Sequence, residues 1–141
     1  MGYRVSCETH FDAAHFLAFH EGMCRNIHGH RWRIVVTAES DNLIEAGTSR
    51  GMVIDFSDIK HKLREIAAEF DHKLVYERDT LRGSTLMMLE EEEFDVLAAD
   101  FRPTAENFAK YIFDKLKESG LPICSVKVYE TPENCAEYFE S

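Results

Sequence analysis

Apolar and polar positions alternate twice along the first forty residues. Tyr3, Val5, Cys7 and Phe11 fall on one side of an extended segment, with Arg4, Ser6, Glu8 and His10 on the other. From His30 to Glu39 the alternation returns, and Trp32, Ile34, Val36 and Ala38 share a side. A period of two marks a half-buried strand. The spacing therefore predicts two strands, antiparallel to each other and joined by a loop over Leu17–Ile27. Asp41–Gly51 is rich in turn residues and reads as a connection.

The period then changes. Ile59, Leu63, Ile66, Ala67 and Phe70 recur at helical spacing and form one apolar stripe. Ser57 suits the N-cap, and the helix should stop near Phe70–His72. Residues 78–100 show no clear period. Within them, Leu86–Glu93 reads either as a short helix or as part of an inserted loop. Pro103-Thr104 opens a second helix, with Thr104 as N-cap and Glu106 in the first turn, where a carboxylate complements the helix dipole. Phe108, Ile112 and Leu116 line its apolar face, and Gly120 and Pro122 end it. Ile123–Thr131 alternates as a third strand. Ala136–Phe139 makes a short fourth after a turn over Thr131–Asn134. The expected architecture is one α+β domain over residues 1–141, ordered β-β-α-α-β-β. An antiparallel four-stranded sheet would carry two helices on one face.

Composition narrows the function classes. The chain has 141 residues, 45% of them apolar and 30% charged, the balance of one soluble domain. A net charge of -10 argues against nucleic acid, which calls for a basic surface. The acidic run Glu90–Glu93 reads as a solvated face. No apolar run approaches the ~20 residues of a membrane span. Met1–His10 lacks the apolar stretch of a signal peptide. A cytoplasmic location is expected. Cys7, Cys24, Cys124 and Cys135 include no Cys-x-x-Cys pair and are expected to be free thiols.

Candidate chemistry gathers around three histidines. His28-Gly29-His30 opens the second strand, and residues two apart on a strand point to the same side. Two imidazoles so placed can share a metal. An isolated pair of this kind is weak evidence, but an antiparallel hairpin also brings back His15, just past the first strand. Three histidines with an open fourth position make a catalytic zinc arrangement. Cys24 lies four residues before His28. Beside a metal its thiol would favour the thiolate and could serve as nucleophile, base or fourth ligand. Asp71-His72 could orient and tune each other for proton transfer, or simply cap a helix end. Glu130 shares a strand face with Val126 and Val128. Either the strand end is exposed there, or a buried carboxylate needs a partner such as a guanidine-like edge. His10, His20 and His61 read as surface or hydrogen-bonded histidines.

Six motifs in order resemble the 6-pyruvoyltetrahydropterin synthase family across nearly the whole chain. They are Phe11-x-Ala13-Ala14-His15, Cys24-x3-His28-Gly29-His30, Val53-Ile54-Asp55-Phe56, Phe70-Asp71-His72, Pro103-Thr104-x-Glu106-Asn107 and Val128-Tyr129-Glu130-Thr131. Only residues 78–101 lack a counterpart. The resemblance implies a tunnelling fold (T-fold) whose subunits assemble into a homo-oligomer, a trimer-based hexamer. It implies Zn2+ on His15, His28 and His30, Cys24 as catalytic base, and Asp71 with His72 as a proton relay. It further implies that Glu130 anchors the amino-pyrimidine edge of a pterin, helped by Thr104 and Glu106. The Cys-x3-His-Gly-His spacing is similar to the bacterial branch that serves queuosine-precursor synthesis. The tetrahydrobiopterin branch carries a longer gap. The implied substrate is 7,8-dihydroneopterin triphosphate, converted to a carboxypterin, acetaldehyde and triphosphate. Arg25 and Arg31 are candidates for the triphosphate by proximity. A 6-pyruvoyl-forming enzyme and a non-catalytic zinc- or pterin-binding module are the competing readings.

Overall fold

A computed structural model describes residues 1–141. Strands β1 (Tyr3–His15) and β2 (His28–Ser40) pair antiparallel over their whole length, from Tyr3 opposite Ser40 to His15 opposite His28. Both strands are longer than the alternation suggests. His15 is the last residue of β1, inside the ladder rather than just past it. Helix α1 (Phe56–Ala68) follows, then β3 (Leu74–Glu77), α2 (Gly83–Glu91), β4 (Val96–Ala99), α3 (Ala105–Glu118), β5 (Ile123–Thr131) and β6 (Asn134–Phe139). The sheet runs β4-β3-β1-β2-β5-β6.

The α+β class therefore holds, but the sheet has six strands rather than four, and a third helix joins the two expected. The difference lies at β3 and β4, which pair parallel to β1 and to each other. Parallel neighbours need a crossover of a dozen or more residues, usually helical. Residues 78–95 supply it, with α2 at its centre. Each of the two strands is only four residues long, too short for periodicity to be visible.

One face of the sheet carries the core. Alternation puts Cys7, Phe11 and Ala13 of β1 beside Trp32, Ile34, Val36 and Ala38 of β2, all buried. The stripe Ile59, Leu63, Ile66, Ala67 and Phe70 packs on them, as do Phe108, Ile112 and Leu116 of α3. Phe11 stacks on Trp32 at 5.9 Å between ring centroids and meets Phe70 and Phe108 edge-on or tilted. Aromatic pairs of this geometry add to the area they bury. The opposite face is polar and charge-paired, with Arg4–Glu39, Arg33–Glu8 and Arg31–Asp12 ion pairs across β1 and β2.

Two local details position functional segments. Helix α1 is capped by Asp55, whose carboxylate accepts from Ser57 N at 2.9 Å. The cap is thus two residues earlier than Ser57, which instead donates its hydroxyl to the same carboxylate. Helix α2 ends in a paired turn. Glu93 N donates to Glu90 O and Phe94 N to Leu89 O, both at 3.0 Å, with Glu93 left-handed at φ 64. This is a Schellman arrangement, where glycine is usual. A side chain there stores roughly 1 kcal/mol of strain.

Asp55→Ala should destabilise the fold by about 1 kcal/mol through loss of the cap. Ser57→Ala should cost less than about half of that, since it removes a donor and leaves the capping carboxylate. Urea denaturation of the two variants separates them, and equal losses would return the cap to Ser57.

Candidate metal centre and active site

The core face of β1 and β2 continues past Trp32 into three imidazoles. Register sets His15 opposite His28, and His30 opposite Ala13. On β5, Tyr129 pairs with Cys135 and Thr131 with Asn134, so Glu130 is an extra residue in a bulge. Bulges re-aim side chains, and the Glu130 carboxylate turns in among the histidines. The ligand atoms of His15, His28, His30 and Glu130 all lie within 4.8 Å of one another. Trp32 forms the floor, its ring edge-on to His15 at 4.8 Å and to His30 at 5.4 Å.

Hydrogen bonds fix the histidine tautomers. His15 Nδ1 lies 2.7 Å from Pro103 O, and His28 Nδ1 lies 2.7 Å from Asn26 O. A carbonyl only accepts, so both Nδ1 atoms carry the proton and both Nε2 atoms present lone pairs. Those Nε2 atoms face each other at 3.1 Å, and Glu130 Oε1 is 3.3 Å from that of His15. His30 Nε2 is buried without a hydrogen-bond partner, 3.4 Å from the same oxygen. Lone pairs and a carboxylate crowded together repel. A cation among them turns repulsion into ligation. Orientation of metal-binding imidazoles by backbone carbonyls is the usual supporting arrangement. The residues fit a metal.

Burial reinforces the point. His15 is 1% exposed. Its pKa is pushed down to about 4, by burial first and then by the neighbouring imidazoles, against the Pro103 carbonyl. Burial also lowers His30, with Glu130 pulling the other way. Both are held in the neutral form that binds metal.

The other sequence candidates sit around this cluster. Cys24 lies in a single helical turn, Met23–Arg25, whose Cys24 O accepts from Leu17 N. It is half-buried and is not among the converging ligands; Glu130 occupies that role. Asp71 Oδ2 accepts from His72 Nδ1 at 2.9 Å, and Asp71 Oδ1 accepts from Asp12 N at 2.9 Å. The Asp12 amide, and then the His72 ring, hold the Asp71 carboxyl below its ordinary range. His72 adopts φ 60, a left-handed turn that projects its ring into solvent. It lines a cavity of about 590 Å3 with Asp12, Ala14 and Gly29. Asp12, Ala14 and Gly29 lie by alternation on the face of the sheet turned away from the helices, and His30 of the cluster also lines the cavity. Thr104 caps α3 by accepting from Asn107 N at 3.2 Å, and Glu106 is exposed in the first turn. Arg31 is bound to Asp12. With Arg33 and His10 it lines a second cavity of about 510 Å3, which His30 and Glu130 of the cluster also line. The chemistry-based reading missed the carbonyls of Asn26 and Pro103. Backbone groups leave no signature in a sequence.

These features define an α+β domain of the tunnelling fold, with a histidine cluster able to hold a metal at one end of its sheet. The chain belongs to the 6-pyruvoyl tetrahydropterin synthase family, whose profile matches residues 4–141. It is 36% identical over 141 residues to 6-carboxy-5,6,7,8-tetrahydropterin synthase of Haemophilus influenzae, covering 98% of this chain and 99% of that one. The Synechocystis protein of the same name is 40% identical over 134 residues, covering 94% and 89%. Among solved structures, an uncharacterized protein from Wolinella succinogenes superposes with a TM-score of 0.81 at 22% identity, over 100% of this chain and 99% of that one. The 6-pyruvoyl tetrahydropterin synthase of Caenorhabditis elegans gives 0.69 at 23% identity, covering 100% and 97%. At these identities the structures speak to the fold. No helix here is long and apolar enough to cross a membrane.

The His15 shift carries a pH dependence. The unfolded chain protonates His15 near 6.5 and the folded chain only near 4. The stability of metal-free protein should therefore be full above about pH 6.5 and fall as the pH drops toward 4. The loss from this residue is about 3 kcal/mol. Denaturation of chelator-treated protein across that window measures it. A flat profile there would mean that His15 is protonated in the fold.

Proposed function

We propose that the chain is a 6-carboxy-5,6,7,8-tetrahydropterin synthase. It converts 7,8-dihydroneopterin triphosphate to 6-carboxytetrahydropterin, acetaldehyde and triphosphate, a step of queuosine-precursor synthesis. The convergence of His15, His28, His30 and Glu130 in a family member with full-length relatives of that name carries the reading.

Zinc held by His15, His28 and His30 would supply a Lewis acid for oxygens of the substrate side chain. Cys24, as thiolate, takes and returns protons at the side-chain carbons. Asp71, kept ionised by the Asp12 amide, holds the His72 Nδ1 proton and leaves Nε2 to move the second one. Glu130 accepts two parallel hydrogen bonds from the amino-pyrimidine edge, with Thr104 and Glu106 beside it. This binding draws the carboxylate out of the histidine cluster. Arg31, with Arg33 and His10 in the second cavity, offers the positive charge that a triphosphate needs. His30 of the histidine cluster lines the same cavity as His72. The family resemblance further implies a working pocket completed between subunits, in a trimer-based hexamer. Four unpaired thiols suit a reducing cytoplasm.

Two variants test the roles. His28→Ala should lose both metal and turnover. Cys24→Ala should keep metal while kcat falls by about 100-fold or more. Metal content and initial rates read both, and an active, zinc-free His28→Ala protein would sink the scheme. Mass spectrometry of the pterin products of metal-replete protein tests the reaction itself. A 6-carboxytetrahydropterin with acetaldehyde supports it. A 6-pyruvoyl product keeps the family and moves the reaction. No turnover favours a binding module.

A further inference from the structure

The cavity holding His72 has a second wall, built by the segment that matched no motif. Leu89 and Phe94 line it from α2 and the turn beyond, with Val96 at the start of β4. The framework of the two walls is continuous. Leu74 pairs with Val96, and Leu74 N donates to Asp95 O at 3.0 Å. His72 precedes its strand by two residues, and Phe94 precedes β4 by two. Parallel pairing therefore places the two turns side by side at one end of the sheet. Both turns are left-handed at a non-glycine residue, at His72 itself and at Glu93 just before Phe94. Strain of this kind persists where the surrounding structure holds it, and it clusters at binding and catalytic sites.

Phe94 is unusual in its exposure. It is 61% exposed although its backbone is pinned by the bond from its amide to Leu89 O. Leu89 and Phe94 occupy the two positions of the Schellman turn where apolar side chains commonly pair, and both line the cavity. The crossover that carries it has no buried residue in its helix. Packing α2 into the core therefore does not account for the arrangement.

We propose that Leu89 and Phe94 are specificity-determining residues of this enzyme, forming the wall against which the face of the pterin ring lies while His72 acts on its side chain. This rests on the function proposed above. The lining chooses between the two ends of the substrate. Asp12 and Asp95 also line the cavity, with Lys73 as the one fixed cation among its thirteen lining residues, so a triphosphate is repelled. The ring is polar along its edge, but its flat uncharged face suits an aromatic and aliphatic wall.

The test is Phe94→Ala in the metal-replete assembly. Turnover of 7,8-dihydroneopterin triphosphate and direct binding of 7,8-dihydroneopterin are measured together. KM and Kd should each rise about tenfold, the loss of one aromatic contact of about 1.4 kcal/mol. Here kcat should stay within about twofold, and metal content and assembly mass should not change. Phe94→Tyr should restore both constants, and Leu89→Ala should move them the same way by less. Unchanged KM and Kd overturn the proposal. So does a change of assembly mass with affinity retained, which would make the patch a subunit contact. Wild-type protein that binds the pterin but does not turn it over, with binding weakened by Phe94→Ala, keeps the wall and removes the proposed reaction. Wild-type protein that neither binds nor reacts removes both.

Discussion

The pairing of His15 with His28 at the closed end of the β1–β2 ladder is the constraint from which the site follows. Thirteen residues on each strand are locked in register, with Phe11 opposite Trp32 and His15 opposite His28. A slip of one residue would send every side chain of a strand to the other face. Burying Trp32, Ile34 and Val36 forbids that slip, because it would expose the core. The same hydrophobic energy that stabilises the sheet therefore holds three imidazoles on one face, at one height. The cluster needs no loop to assemble it. Its floor is the core itself, and the two carbonyls that orient its rings come from the chain just before β2 and just before α3.

The ladder serves both faces. Alternation that turns Ala13 and His15 inward turns Asp12 and Ala14 outward. Asp12 is then bonded to the dyad through its own backbone: its amide donates to Asp71, and its carbonyl accepts from His72 N at 2.6 Å. One strand end thus positions the histidine cluster by side chain and the Asp71–His72 pair by main chain. The polar face can do this because cross-strand ion pairs, rather than apolar packing, fill it.

Much of this was legible in the sequence. The alternation in β1, β2 and β5 and the stripes of α1 and α3 came through because each element is long and has one buried face. The histidine set was legible because residues two apart on a strand share a side, and the hairpin supplied His15. Glu130 was singled out by its parity with Val126 and Val128. Its actual approach to the histidines depends on a bulge, which the residues alone do not announce. β3 and β4 were not legible, and α2 was legible only as one of two alternatives over Leu86–Glu93. Four-residue strands show no period, and a helix with no buried residue shows no stripe. The cap of α1 was misplaced by two residues because Asp55 and Ser57 are both good capping types and cooperate in one turn.

The hairpin between His15 and His28 carries a consequence for how such chains can diverge. Its two ends are pinned by the ladder, and the residues between them cross no strand. Length can be gained or lost there without moving either histidine. Cys24 rides on that connecting segment, so the distance from its thiol to the histidine cluster is a separate variable from the geometry of the cluster itself. Branches that differ in the gap between the cysteine and the histidine pair can inherit one unchanged set of ligands. The thiol can shift while the histidines stay where they were.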